Sequence, residues 1–319
     1  MKPARYNAEI MIITVTPNAL LEYQVESEIS FAGGHRLNEI PFTVGGKGIN
    51  VARMLRNLGR PALAMTFVGG SNGEKIKEKL EQQGVLAHFI ETEAETRVGI
   101  SLIENNGEKH RWWIEEGKSL QESEIQKMIS LLQKESKSAA FIAFSGSVPG
   151  RKDQDLYWRL IESIRNSNAE IYVDAREKAL VDACKIGGFF LKHNREETIK
   201  TFSKDPFDSN SCADYFRLLE KFKIWGALIT DGKNNALLWD GKAAYLFEPA
   251  NVKEISSVGC GDATLAGFIY ARKLGMSLVE SAVVGLASGA ADAGHAGPCE
   301  ADWAEVQELM PKIKASRII

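Results

Sequence analysis

The sequence lacks the features that mark disulfide-rich, zinc-binding and membrane proteins. Its four cysteines form neither a CxxC pair nor a His/Cys cluster with zinc spacing, which suits unrelated thiols in a reducing cytoplasm. No apolar run approaches the roughly 20 residues that span a bilayer, so we expect no membrane association. Residues 1–9 have no apolar core of the kind found in secretory signals, and we interpret 1–10 as a short extension before the first strand.

The sequence also has no strong excess of one charge. It has 39 lysines and arginines against 42 aspartates and glutamates, and the net charge is −3. Sequence-independent nucleic-acid binding needs a broad basic face, so we expect no nucleic-acid partner. The composition, 44% hydrophobic and 25% charged, is that of a globular protein, and 319 residues fit one large domain or two smaller ones.

An alternation of apolar strands and helices is what the sequence does contain. Three helical segments, 261–274, 277–291 and 301–314, are predicted to close the chain. The alternation predicts an α/β fold with a doubly wound, mostly parallel central sheet and helices on both faces. Since no Pro/Gly/Ser linker divides the chain, we expect a single α/β domain over 11–319.

Two polar, β-rich pieces interrupt this alternation, at 18–43 and 97–116. The second contains a turn signal at Asn105–Gly107, which predicts a hairpin. We expect the two pieces to pair into a small sheet that stands off the main body. Just after them, Ser119 and Glu122 have the spacing of a capping box and predict the start of a helix.

Polar and glycine residues follow several of the predicted strands. They are Ser145–Gly146, Asp174, Asn194 with Glu197, and Asp231–Gly232. Open α/β sheets bind ligands at the carboxyl ends of their strands, so this convergence indicates a cleft at one edge.

The most informative motif is Gly259–Cys260–Gly261–Asp262, directly before a predicted helix. Glycines let successive backbone N–H groups point into one concavity, and the helix N-terminus adds about half an elementary positive charge. The motif suits a transferring phosphoryl group or the oxyanion of an acyl transfer, and Asp262 can accept a proton from an attacking hydroxyl. A glycine turn that merely caps a helix has the same sequence.

A second glycine-rich segment, GGKGIN at 45–50, precedes the first helix. It lacks the Walker A spacing, and no GxGxxG follows the first strand, so dinucleotide binding loses its usual support. Asn50 can hydrogen-bond sugar hydroxyls, although a glycine turn at a helix start is the plainer interpretation. Asn194 and Glu197 could hold hydrated Mg²⁺, directly or through water. Trp112–Trp113 fits packing in the small sheet, sugar stacking or a dimer surface.

Four motifs together resemble the ribokinase family, also called the PfkB carbohydrate kinases, in order and spacing from about residue 11 onward. They are GGKGIN at 45–50, SGSVPG at 145–150, HNREE at 193–197 and SVGCGDATLAGF at 257–268. The opening ITVTPNALLE and ETR at 95–97 look most like the sugar-phosphate branch, which holds 1-phosphofructokinase and tagatose-6-phosphate kinase.

The resemblance implies an ATP-dependent kinase that phosphorylates a hydroxyl of a sugar phosphate. Asp262 would be the catalytic base, and the backbone at Gly259, Cys260 and Gly261 would form the anion hole. The β-rich pieces would form a lid, which is often also the surface of a homodimer. Mg²⁺ would sit at Asn194 and Glu197 through water. The implied ATP contacts are Asn194, Thr230, Gly232, Gly259 and Gly261. The implied sugar contacts are Asn18, Glu22, Gly45, Gly46, Lys47, Asn50 and Arg97.

Several acceptor-side residues depart from the family pattern. Glu22 stands where the branch usually has aspartate, Val98–Gly99 replaces polar lid residues, and Ala175–Arg176 follows Asp174 in place of a Ser/Thr-Gly pair. Arg97 remains the best candidate for a substrate phosphate, ahead of Lys47 and Arg36. Alternatives are therefore a kinase of a free sugar or nucleoside and a non-catalytic sensor of sugar phosphates.

Overall fold

The structure, a computed structural model, describes residues 11–27, 38–104, 109–209 and 211–318. The predicted extension at 1–10, Arg36 and the predicted turn at Asn105–Gly107 lie outside these residues. The strands are β1 (Met11–Thr16), β2 (Leu20–Ser27), β3 (Phe42–Gly45), β4 (Leu63–Val68), β5 (Ala87–Glu91), β6 (Val98–Glu104), β7 (Lys109–Ile114), β8 (Ala139–Ser145), β9 (Glu170–Asp174), β10 (Phe190–Asn194), β11 (Gly226–Thr230), β12 (Ala236–Trp239), β13 (Ala244–Glu248) and β14 (Lys314–Arg317). The helices are α1 (Lys47–Asn57), α2 (Gly70–Gln82), α3 (Glu122–Glu135), α4 (Leu156–Ser163), α5 (Glu177–Cys184), α6 (Arg195–Phe202), α7 (Cys212–Lys221), α8 (Cys260–Lys273), α9 (Leu278–Asp292) and α10 (Trp303–Leu309).

The main sheet has the strand order β14-β13-β12-β11-β10-β9-β8-β1-β4-β5. From β11 to β5 neighbouring strands run parallel, and β12, β13 and β14 continue the sheet antiparallel. Successive side chains of β1 enter opposite cores: Ile12 packs with residues of α1, α8 and α9, whereas Ile13 packs with residues of α3, α4 and α5. Both faces of the sheet are therefore covered by helices, which confirms the predicted doubly wound fold.

A second, smaller sheet has the strand order β3-β2-β6-β7. It combines strands from both β-rich pieces, as predicted, because β2 pairs in parallel with β6. Leu21 and Val44 of this sheet are buried, and Lys75 of α2 donates a hydrogen bond to the Tyr23 hydroxyl at 2.9 Å. The small sheet is thus anchored on α2 at its β2–β3 side.

Two local predictions are wrong. The predicted helix at 301–314 ends at Leu309, and β14 follows at the sheet edge instead. Pro311 lies in the turn between them, and proline removes the backbone donor that an α-helix needs. The capping box of α3 is formed by Gln121 and Glu124 rather than by Ser119 and Glu122. Ser119 instead interacts with the carboxylate of Asp153.

Besides β14, two further elements were missing from the prediction, namely β5 and the helix α6 that begins after Asn194. Among the helices that the structure describes, none has the length and apolar character to cross a membrane.

Candidate active site

The candidate site lies where the carboxyl ends of parallel strands meet the starts of α1 and α8. Because β8, β9, β10 and β11 are neighbours in the sheet, the predicted strand-end residues come to a single edge. Asn194 and Thr230 are paired in register on adjacent strands. Two hydrogen bonds then join distant motifs: Asn50 Nδ2 donates to Asp262 Oδ2 at 2.8 Å, and Lys47 Nζ donates to Asp174 Oδ1 at 2.7 Å.

The Gly259–Asp262 motif forms the first turn of α8. Gly259 precedes the helix with φ 88°, a left-handed conformation that favours glycine, and a Cβ atom there would lie 2.5 Å from Cβ of Pro298. The first N–H groups of a helix have no partner within the helix, and no side chain of the described residues caps this one. These donors and the helix dipole can therefore receive an anion.

Asp262 is the titratable group of this turn, and it is only 5% exposed. Burial, reinforced by the negative charge of Asp174, raises the pKa of Asp262 to about 7, although Lys47, Asn50 and Lys192 favour the ionised form. A carboxyl group with a pKa near neutrality suits a general base, because it can hold and release a proton at working pH.

Lys47 lies between two carboxylates rather than alone in the cleft. Its ammonium is 2.7 Å from Asp174 Oδ1 and 3.5 Å from Glu197 Oε1. Burial alone would lower the pKa of Lys47, but the charges of Asp174, Glu197 and Asp262 raise it well above its usual value. Three motifs that are distant in sequence therefore share one network of charges.

Lys192 is a site residue that the sequence analysis missed. It is 3% exposed, and its Nζ lies 4.0 Å from Asp174 Oδ2, an oxygen with no hydrogen-bond partner among the described residues. A Cβ atom on Gly261 would lie 2.8 Å from this Nζ, so the ammonium lies against the first turn of α8. The available signal was a charged residue directly after the apolar residues 189–191, within a strand that is buried up to His193.

Asn194 and Glu197 form a reciprocal capping box at the start of α6. Asn194 Oδ1 accepts from the Glu197 N–H at 2.7 Å, and Glu197 Oε2 accepts from the Asn194 N–H at 3.2 Å. Across the described part of the chain, no group of three or more His, Cys, Asp or Glu residues could hold a metal ion. The pair still fits Mg²⁺, because that ion prefers oxygen ligands and keeps several waters in nucleotide sites.

Arg97, the predicted phosphate contact, lies beside the loop between β1 and β2. Its guanidinium donates to the carbonyl oxygens of Asn18 and Ala19 at 3.0 and 3.3 Å, and no carboxylate of the described residues pairs with it. Burial and the nearby charge of Arg176 lower the pKa of Arg97 to about 10, so it stays charged at neutral pH. Arg97 and Lys118 line one cavity together with Glu95, whose carboxylate accepts hydrogen bonds from Ser71 and the Asn72 N–H, and the net positive charge of this lining suits a phosphate group.

The other predicted sugar contacts have partners within the protein. Asn18 Nδ2 donates to Ser147 Oγ at 3.1 Å, and Glu22 is hydrogen-bonded to the Ser101 hydroxyl. Gly45 and Gly46 pack against the chain itself, since a Cβ on Gly46 would lie 2.7 Å from Thr16 Cγ2 and one on Gly45 would lie 3.3 Å from Leu20. Close packing is therefore one reason why glycine rather than a larger residue occupies these two positions.

The predicted ATP side is held by a salt-bridge network. Arg195 contacts Asp231 at 3.1 Å and Asp205 at 2.6 Å, which joins the start of α6 to the turn that follows Thr230 and contains Gly232. Gly232 has φ 55°, in the left-handed region.

The chain was compared with known proteins. Residues 8–305 match the profile described as "pfkB family carbohydrate kinase". The sequence is 29% identical to 1-phosphofructokinase from Bacillus subtilis, with 97% of this chain and 100% of that protein covered. It is 27% identical to D-tagatose-1-phosphate kinase from Bacillus licheniformis, with coverage of 85% and 88%.

The fold is also found among solved structures. Phosphofructokinase-2 from Escherichia coli in complex with potassium superimposes with a TM-score of 0.87 at 23% identity, and the match covers 95% of this chain and 99% of that one. Together with the family match, this agreement leads to one conclusion: the chain belongs to the pfkB family of carbohydrate kinases and is an enzyme that phosphorylates a sugar.

Proposed function

We propose that this protein is an ATP-dependent kinase that phosphorylates a hydroxyl of a sugar phosphate of the fructose 1-phosphate or tagatose 6-phosphate type. The observation that carries the proposal is the position of Asp262, which is buried in the first turn of α8 beside uncapped N–H groups. A base and an anion site within one helical turn are what phosphoryl transfer to a hydroxyl requires.

The reaction needs a proton acceptor and a site for the transferred group. Asp262 takes the proton of the acceptor hydroxyl as that oxygen forms its bond to the γ-phosphorus of ATP. The bond between this phosphorus and the β-γ bridging oxygen breaks, and ADP leaves with the electron pair. The N–H groups at Gly259, Cys260 and Gly261 stabilise the negative charge on the phosphoryl oxygens, and Lys192 adds a positive charge at the same place.

Asn194 and Glu197 are the residues that would hold Mg²⁺ through water. The ion supplies positive charge that neutralises the phosphate oxygens of the nucleotide. Asn194 lies beside Thr230 on adjacent strands, so the metal pair and the proposed ATP loop are neighbours. Lys47, whose Nζ lies 3.5 Å from Glu197 Oε1, brings a positive charge next to this pair.

The specificity for a phosphorylated sugar is assigned to Arg97. It is a charged donor without a carboxylate partner among the described residues, and Asn18 lies in the same cavity. The relatives named for fructose and tagatose phosphates support this substrate class.

The small sheet is proposed as a lid that excludes water, and its outer strands as the surface of a homodimer. Trp113 is 57% exposed, and it lies directly opposite Ile100, which is 46% exposed. Exposed apolar pairs of this kind are typical of interaction surfaces. We place the reaction in the cytoplasm, because the chain's four cysteines are all free thiols.

The proposal is tested by ADP release with ATP, Mg²⁺ and a panel of phosphorylated and free ketohexoses and nucleosides. We expect turnover with a sugar phosphate. Arg97→Met should lower kcat/KM for that substrate by about 10- to 150-fold, the value of one hydrogen bond to a charged group, and should spare free sugars. An equal loss of kcat/KM for phosphorylated and free sugars would reject the phosphate role of Arg97, because an equal loss is what a general folding defect causes.

Other outcomes would select the alternatives. Turnover only with free sugars or nucleosides would move the acceptor to that class. Binding of a sugar phosphate without ADP formation from any acceptor would make the protein a sensor.

A further inference from the structure

A line of buried polar side chains on α1 leads to the proposed catalytic base. Asn50 and Arg53 are 7% and 6% exposed and lie one helical turn apart. Arg53 Nη1 donates to Asn50 Oδ1 at 2.7 Å, and Asn50 Nδ2 donates to Asp262 Oδ2 at 2.8 Å. The three side chains form a continuous chain of hydrogen bonds in which every donor points toward the carboxylate.

The direction of this chain depends on Arg53. The oxygen of an asparagine amide accepts hydrogen bonds and its nitrogen donates them. A half-turn of the amide exchanges the positions of these two atoms, so either one can face Asp262. A guanidinium can only donate, and therefore it binds Oδ1 and turns Nδ2 toward the carboxylate. We infer that Arg53 is a positioning residue that fixes the orientation of Asn50 and thereby holds Asp262 in its proton-accepting form. This inference rests on the proposed role of Asp262 as base.

Arg53 is itself fixed by two further contacts. Its Nη2 donates to the Val44 carbonyl at 2.9 Å and to Gln83 Oε1 at 3.3 Å. Val44 belongs to β3 of the small sheet, whereas Gln83 caps the end of α2. The guanidinium is thus clamped from two elements, and only one of its nitrogens is directed at Asn50.

Apart from Asn50, Arg53 contacts none of the proposed substrate or metal residues, and its effect should pass through Asn50 to Asp262. The titratable groups that act on Asp262 come from five elements or loops around it: Lys47, Arg53, Asp174, Lys192, Cys260 and Cys299. Arg53 acts by its charge, like the others, and it alone also reaches Asp262 through a hydrogen-bonded amide. A change at Arg53 should therefore shift the ionisation of Asp262 without removing an ion pair of the site.

The expected effect follows from the loss of one oriented donor. In Arg53→Met the Asn50 amide can turn, and its Oδ1 then faces the carboxylate for part of the time. A hydrogen bond to an ionised group corresponds to about one pH unit or slightly more, so the pKa of Asp262 should rise by about that amount. The acid limb of kcat/KM should move upward equally, while the KM for ATP stays within about twofold.

The experiment compares Arg53→Met, Arg53→Lys and Gln83→Met in the full chain. The pH dependence of kcat/KM is measured with ATP, Mg²⁺ and fructose 1-phosphate. The carboxyl ¹³C shift of Asp262, assigned with Asp262→Asn, is titrated in parallel and needs no turnover. Arg53→Lys keeps a donor for Asn50 Oδ1 and should restore the wild-type midpoint. Gln83→Met removes a clamp of Arg53 without touching Asn50 and should leave the midpoint unchanged.

An Arg53→Met variant with an unchanged ¹³C midpoint would overturn the inference, and so would a shift of the same size in Gln83→Met. If the wild-type protein shows no turnover, the proposed function fails, but the ¹³C titration still decides whether Arg53 controls the carboxylate. If Arg53→Met does not fold, Asn50→Leu is titrated in its place. This variant removes the same hydrogen-bond donor to Asp262 and should raise the pKa of Asp262 by an equal or larger amount.

Discussion

The ionised form of Asp262 should destabilise the folded protein, so Asp262→Asn should gain stability while it loses turnover. Burial raises the pKa of this carboxyl to about 7 from the value of 3.8 that is usual for aspartate. The folded state therefore holds a proton that the unfolded state has released, and stability falls as pH rises between these values. The full shift corresponds to a ceiling of about 4 kcal/mol above pH 7. Lys47 and Lys192 lose a negative neighbour in the variant, so we expect a gain of about 1–3 kcal/mol.

The assay is urea denaturation of both proteins between about pH 4 and 9. The free energies of unfolding should lie closest at about pH 4, where Asp262 is protonated in the folded state and partly protonated in the unfolded state, and should diverge as pH rises. Asp174→Asn is the matched control with the opposite sign. Lys47 and Lys192 hold the pKa of Asp174 below its usual value in spite of its burial, so its removal should destabilise the protein at neutral pH. A constant difference between wild type and Asp262→Asn at all pH values would refute the reasoning.

Three further predictions concern the anion site, the lid and the metal pair. Gly261→Ala places a Cβ 2.8 Å from Lys192 Nζ and should lower kcat about 100-fold with little change in Tm. Lys192→Met should lower kcat by a similar factor. In steady-state kinetics the double variant should lower kcat by less than the product of the two single factors. Trp113→Ser should convert a homodimer to a monomer in light scattering and leave the Tm of the main body unchanged, whereas an unchanged mass would place any interface elsewhere. Glu197→Gln keeps an oxygen that can accept the hydrogen bond of the α6 cap but removes a negative charge, so the Mg²⁺ concentration for half-maximal rate should rise about tenfold. An unchanged Mg²⁺ requirement would show that Glu197 does not belong to the metal site.

The parts of the site that the sequence predicted depend on local chemistry. Gly259 adopts a positive φ, and Asn194 and Glu197 cap a helix, so their roles follow from neighbours a few residues away. The doubly wound sheet followed from a similar local signal, since buried parallel strands are continuous apolar runs.

The parts that the sequence did not predict depend on long-range packing. Arg53 and Lys192 are charged residues on elements whose residues are mostly buried. The local sequence of these elements does not show which of their side chains approach α8. The partner of Asn50 is 212 residues away in sequence, so the Asn50–Asp262 contact could not be read from either motif. The strand β14 was missed because every residue of Lys314–Arg317 is exposed and the segment has no apolar alternation.

We expect this kinase to transfer the γ-phosphoryl group of ATP to a sugar that is already phosphorylated. The most direct test is ³¹P NMR of the protein with ATP, Mg²⁺ and fructose 1-phosphate, in which free fructose is the control acceptor and Asp262→Asn is the control enzyme. We predict ADP and a second sugar-phosphate resonance with the phosphorylated acceptor, and neither product with Asp262→Asn. A new resonance with free fructose and none with any sugar phosphate would contradict it.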